Sequence, residues 1–95
     1  MRIFADAVGF AWDDGNRDKN LKKHGVSNEE CEQVFEDVRR QFYPDVQHSR
    51  KEERFVIIGA TRDEKLLRIA FTVRGDLVRV ISARPISRKE KKLYD

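Results

Sequence analysis

The chain has 95 residues, 39% hydrophobic and 39% charged, and its 20 Lys or Arg against 17 Asp or Glu give a formal net charge of +3. That length suits one domain around one core, so residues 1–95 are read as a single unit. One cysteine, Cys31, excludes an internal disulfide, and two histidines are too few to complete a zinc site with it. No apolar run approaches the roughly 18 residues of a membrane helix and nothing resembles a signal peptide, so a cytoplasmic setting is expected.

Residues 2–12 read as a first strand weakened by Gly9. Asp13 stands where a helix N-cap belongs, and the polar segment to His24 reads as a helix anchored by Trp12 and Leu21. Lys22, Lys23 and His24 suit its negative C-terminal end, and Gly25 followed by Val26 makes a C-terminal cap. Ser27 and Glu30 have capping-box spacing for a second helix, with Cys31, Val34, Phe35 and Val38 on one buried stripe. Two helices meeting at a Gly-Val-Ser corner suggest a DNA-binding helix-turn-helix, but the second helix is acidic and would repel a phosphate backbone.

Residues 40–43 read as a short strand ended by Pro44, followed by a polar loop, 46–53, that carries His48. Residues 54–61 form a near-continuous apolar run, as in a central strand covered on both faces. Two alternating strands, 66–73 and 77–83, meet at a Gly75-Asp76 turn. With a two-residue loop, Arg74 faces Leu77, Thr72 faces Arg79 and Ala70 faces Ile81. Leu67, Ile69, Phe71, Val73, Val78 and Val80 then form a core face, and Arg68, Thr72, Arg74 and Arg79 form the other. A final helix starts near Ser87, after Pro85. The class is α+β: an N-terminal strand and two helices packed on an antiparallel β-meander, with a short C-terminal helix.

Charge is polarised along the chain. Between Arg68 and Lys92 eight Arg or Lys stand against two acids, Asp76 and Glu90. From Ser27 to Asp37 there are five acids and no base. A basic ribbon and tail point to an anionic partner, with a merely solvated surface as the plain alternative.

The segments Trp12-Asp13, Asn20 and Lys23-His24-Gly25-Val26-Ser27, with Val34-Phe35 and Asp37, resemble the first half of the BrnT family of bacterial toxins. Glu53-Arg54-Phe55 and Ile58-Gly59 resemble its middle, and Arg74-Gly75, the run 79–85, Ser87-Arg88, Glu90 and Tyr94 resemble its C-terminal signature. The resemblance implies a RelE-like fold and a ribonuclease toxin of a type II toxin–antitoxin pair. It further implies neutralisation by a ribbon-helix-helix antitoxin, with operator DNA bound only through the complex of the two. This chain departs from the family pattern at Asn16, where a lysine is common, and at Val73, where a polar residue is expected before Arg-Gly.

A metal-independent, cofactor-free ribonuclease must deprotonate the 2′-hydroxyl, stabilise the charge on phosphorus and protonate the leaving 5′-oxygen. Arg74, Arg79 and Arg84 suit the second task, because planar guanidiniums grip phosphate at two points. His48 and Glu53 are the candidates for proton transfer, each with a bland alternative as a solvated loop histidine and an ion-pair partner of Arg54. Arg68, Arg88, Lys89 and Lys92 are expected to track the RNA backbone. Trp12 can stack on a base or join the core, and Tyr94 poses the same choice, with packing favoured for both. A catalytically inactive RNA-binding or antitoxin-binding subunit would use the same charges.

Overall fold

The computed structural model describes residues 3–48 and 52–94, except for the side chain of His48. Five strands form one sheet: β1 (Gly9–Phe10), β2 (Gln41–Pro44), β3 (Arg54–Ala60), β4 (Leu66–Arg74) and β5 (Leu77–Pro85), in spatial order β1-β5-β4-β3-β2. Three helices, α1 (Lys19–His24), α2 (Asn28–Val34) and α3 (Arg88–Tyr94), complete the α+β architecture, with a 3-10 turn at Val46–His48.

β2 to β5 form the expected antiparallel meander, but β1 lies parallel to β5, which makes the sheet mixed. The first strand is also far shorter than the sequence suggests. Ala5 turns with φ 50°, and Phe4 pairs back on Ala7, so only Gly9–Phe10 joins the sheet.

The first helix likewise starts late. Asp13 does act as a local acceptor, taking the N–H of Gly15 on Oδ1 at 2.8 Å. The chain then makes a turn rather than a helix, and Asp18 sits at φ 58° without a side-chain cap before Lys19. What holds that turn is Asn16, which is buried and binds the Asp13 N–H and the carbonyls of Ala11 and Val80. Continuing the helix would break those bonds. Downstream the caps follow expectation: Gly25 adopts φ 68°, and Ser27 and Glu30 exchange both capping-box bonds. Cys31, Val34 and Phe35 are buried, but α2 ends at Val34 and Val38 leaves the stripe, 91% exposed.

One face of the sheet carries the main core. Phe71 is its centre, with the rings of Phe4, Phe35 and Phe55 at 5.1, 5.0 and 5.7 Å. On the opposite face Val56, Ile58 and Tyr94 form a smaller cluster with Tyr43 and Ile86, so β3 is covered on both sides. Tyr94 is packed, its hydroxyl donating to Asp37 at 2.7 Å.

The hairpin turn is as expected, with Gly75 at φ 62°, Arg74 opposite Leu77 and Thr72 opposite Arg79. Beyond that the register changes. Phe71 pairs with Val80 but Ala70 pairs with Ser82, not Ile81, so Ile81 is the extra residue of a β-bulge. Strict alternation from Val78 and Val80 would have turned Arg84 into the core. The bulge instead buries Ala83 and sets Arg84 opposite Arg68 on the arginine face.

Candidate functional site

The arginine face is divided in two. Its lower part is closed by α3. There Glu90 accepts two bonds from Arg84 at 2.8 Å each, one from Arg68 Nε at 3.1 Å, and one from the Ser87 N–H at 2.8 Å. The Arg84 fork, ahead of the backbone bond from Ser87, holds the Glu90 carboxyl down to about 2.

The upper part is open. A cleft of about 170 Å³ is walled by Arg54, Thr72, Arg74 and Arg79 of the sheet, by Glu52, and by Asn16 and Lys19 beside the β5 edge. Register explains the convergence: Arg54 pairs with Thr72 and Thr72 with Arg79, so three adjacent strands present these side chains in one row. β1 ends at Phe10, after which side chains before and within α1 take over the β5 edge. Asn16 Nδ2 donates to Val80 O, Lys19 Nζ to Ile81 O at 3.4 Å, and the Ala83 N–H donates to Asn20 Oδ1 at 2.9 Å. These bonds meet the polar edge that the bulge would otherwise expose.

Arg79 is well enclosed, its side chain 18% exposed against 58% for Arg74. Nη2 lies 3.4 Å from Asp13 Oδ1, while Nη1 is buried and makes no hydrogen bond to the described residues. Arg74 binds Glu52 side-on, Nε to Oε2 at 3.2 Å and Nη2 to Oε1 at 3.1 Å. That fork, with weaker pull from Arg54 and Arg79, holds the Glu52 carboxyl below the usual glutamate range, and Glu52 raises Arg74 in turn. A buried guanidinium N–H without an acceptor is costly.

Of the residues singled out from the sequence, Arg74 and Arg79 share the cleft. Arg84 and Arg68 do not line it; they are paired with Glu90, about 13 Å along the strand at 3.3 Å per residue. Glu53 is exposed and lines a different groove with Phe4, Ala5, Phe55 and Val73, while its carbonyl accepts from Thr72 Oγ1 at 2.7 Å. His48 has its backbone in the 3-10 turn, and its side chain lies outside the described residues. Trp12 is half-buried against the core, donating from Nε1 to Glu32 at 2.7 Å. Arg88, Lys89 and Lys92 are exposed on α3.

Glu52, Arg54 and Lys19 were not anticipated. The alternation of Glu52, Arg54 and Val56 was the available signal for the first two, masked by the apolar run that follows. Among the described residues no three His, Cys, Asp or Glu side chains gather as a metal site, and no helix is long and apolar enough to cross a membrane.

No curated protein matches the chain. The family model described as the ribonuclease toxin BrnT of type II toxin–antitoxin systems matches residues 12–90, a span holding every residue of the cleft. The chain belongs to the BrnT family of ribonuclease toxins, and as a type II toxin it implies a cognate antitoxin.

Proposed function

We propose that the cleft is the phosphodiester site of an endoribonuclease that cuts RNA without a metal ion and so inhibits translation in the cytoplasm. The observation that carries this reading is the convergence of four cations, Arg54, Arg74, Arg79 and Lys19, on one open cleft. Guanidiniums fixed before the reaction stabilise charge developing on the phosphoryl oxygens, with each donor contributing roughly 3 kcal/mol to the barrier. Arg88, Lys89 and Lys92, on the exposed side of α3, would carry the flanking RNA backbone.

The fold is proposed to be RelE-like, with a ribbon-helix-helix antitoxin that carries the complex to its operator. A second reading has specific support. Glu52 already sits on Arg74, so the cleft accepts carboxylates as well as phosphates. A non-catalytic subunit that grips an acidic antitoxin segment would use it the same way.

Expression in a bacterial host separates the two. The ribonuclease reading expects growth arrest with RNA decay, abolished in Arg79→Ala while the melting temperature is kept. Arrest that survives simultaneous loss of Arg54, Arg74 and Arg79 would overturn the site. Unimpaired growth with intact antitoxin binding would favour the second reading.

A further inference from the structure

We infer that Glu52 is the base that takes the 2′-hydroxyl proton of the RNA, a role that rests on the ribonuclease reading above. In RNA the attacking 2′-oxygen must come within about 3–3.5 Å of the phosphorus it attacks, so a base for it must share a pocket with the phosphate donors. Glu52 is the one carboxylate among the described residues that line the cleft. Strand alternation puts it on the side of Arg54 and Thr72, whereas Glu53 lines a groove elsewhere.

Its geometry suits the task. Each Glu52 oxygen accepts one bond from Arg74, through Nε and Nη2, and keeps a second lone-pair direction for a hydroxyl. Arg74 Nη1 is not engaged by that fork, so one guanidinium can touch both base and phosphate, while the Arg79 guanidinium lines the same cleft. Arg74 also keeps the carboxyl ionised at neutral pH.

The step balances within the cleft. The 2′-hydroxyl gives its proton to Glu52, and the 2′-oxygen forms a bond to phosphorus. The bond from phosphorus to the 5′-oxygen breaks, its electron pair leaves with that oxygen, and the Lys19 ammonium protonates it. The products are a 2′,3′-cyclic phosphate and a 5′-hydroxyl. Proton exchange with water returns Glu52 and Lys19 to their starting states. A deoxyribose strand would bind but lack the nucleophile.

The test uses the full chain in a cell-free translation extract, where free and ribosome-bound messages are both present, with cleavage ends mapped chemically. Glu52→Gln should cut roughly 100- to 10,000-fold more slowly. Glu52→Asp should cut faster than Glu52→Gln, and the wild type should leave 2′,3′-cyclic phosphate ends. Binding of the purified chain to a mixed-sequence single-stranded DNA should survive in Glu52→Gln. Wild-type cutting by Glu52→Gln, wild-type ends bearing a 5′-phosphate, or loss of DNA binding in Glu52→Gln would each overturn the assignment. No cutting by the wild type would instead overturn the ribonuclease reading, and this inference with it.

Discussion

Replacing Glu90 by Gln removes the charge that ties α3 to the sheet, and the structure sets the size of the effect. In the folded protein the Glu90 carboxyl lies at about 2 rather than 4.5, chiefly because Arg84 donates two hydrogen bonds to it. At about 1.4 kcal/mol per unit that depression corresponds to about 3 kcal/mol. Glu90 is 17% exposed but Arg84 is 39% exposed, so solvent screening lowers the expected cost of Glu90→Gln to about 2 kcal/mol. For a domain this size that is roughly 10 °C in melting temperature. Because the folded value is depressed, the stabilisation is fully present above about pH 4.5 and fades as the pH falls through about 2. Urea unfolding of wild type and Glu90→Gln across pH 7 to pH 2 measures the gap directly, and the other carboxyls cancel in the difference. A gap that stays constant with pH, or no gap at pH 7, would refute the reasoning. Cleavage by the refolded variant should remain, since Glu90 does not line the cleft.

Other perturbations read different parts of the fold. A Cβ at Gly59 would lie 3.0 Å from Val34 Cγ1 and 3.2 Å from the Val34 carbonyl, so Gly59→Ala should cost about 1–3 kcal/mol in chemical denaturation. Asn16→Ala strips partners from the Asp13 N–H and the Val80 carbonyl, and a loss of about 2 kcal/mol is expected in the same assay. Burial pushes the Cys31 thiol up to about 12, so its alkylation should proceed only at the rate of global unfolding; fast labelling of the native chain would contradict its placement.

What the sequence made legible was whatever a local rule decides. The capping box of Ser27 and Glu30, the Gly25 cap and the Gly75 turn each depend on a few adjacent residues, and all three stand. The aromatic and aliphatic face from Leu67 to Val80 was readable because alternation holds that far. Failures came where distant residues intervene. Val38 continues the helical stripe in sequence, but the helix has already ended at Val34. The late start of α1 depends on Asn16 binding a carbonyl 64 positions away, which no window of adjacent residues contains. Glu52 shares the parity of Arg54 and Val56, a local signal hidden by the apolar run that follows.

The bulge at Ile81 links these failures to the site. Between Val80 and Ala83 the buried positions of β5 fall three apart instead of two, so the arginines on either side share a face that simple alternation would deny them. That geometry leaves carbonyls on the β5 edge in need of donors, and Asn16 and Lys19 supply them. The same two residues thereby become walls of the cleft, next to Arg79. One inserted residue thus separates two arginine pairs with different work. Arg68 and Arg84 are closed off on Glu90, where they hold a helix, and Arg74 and Arg79 stay at the open end, where an anion can reach them. Counting arginines along the ribbon cannot separate those roles, but the strand register does.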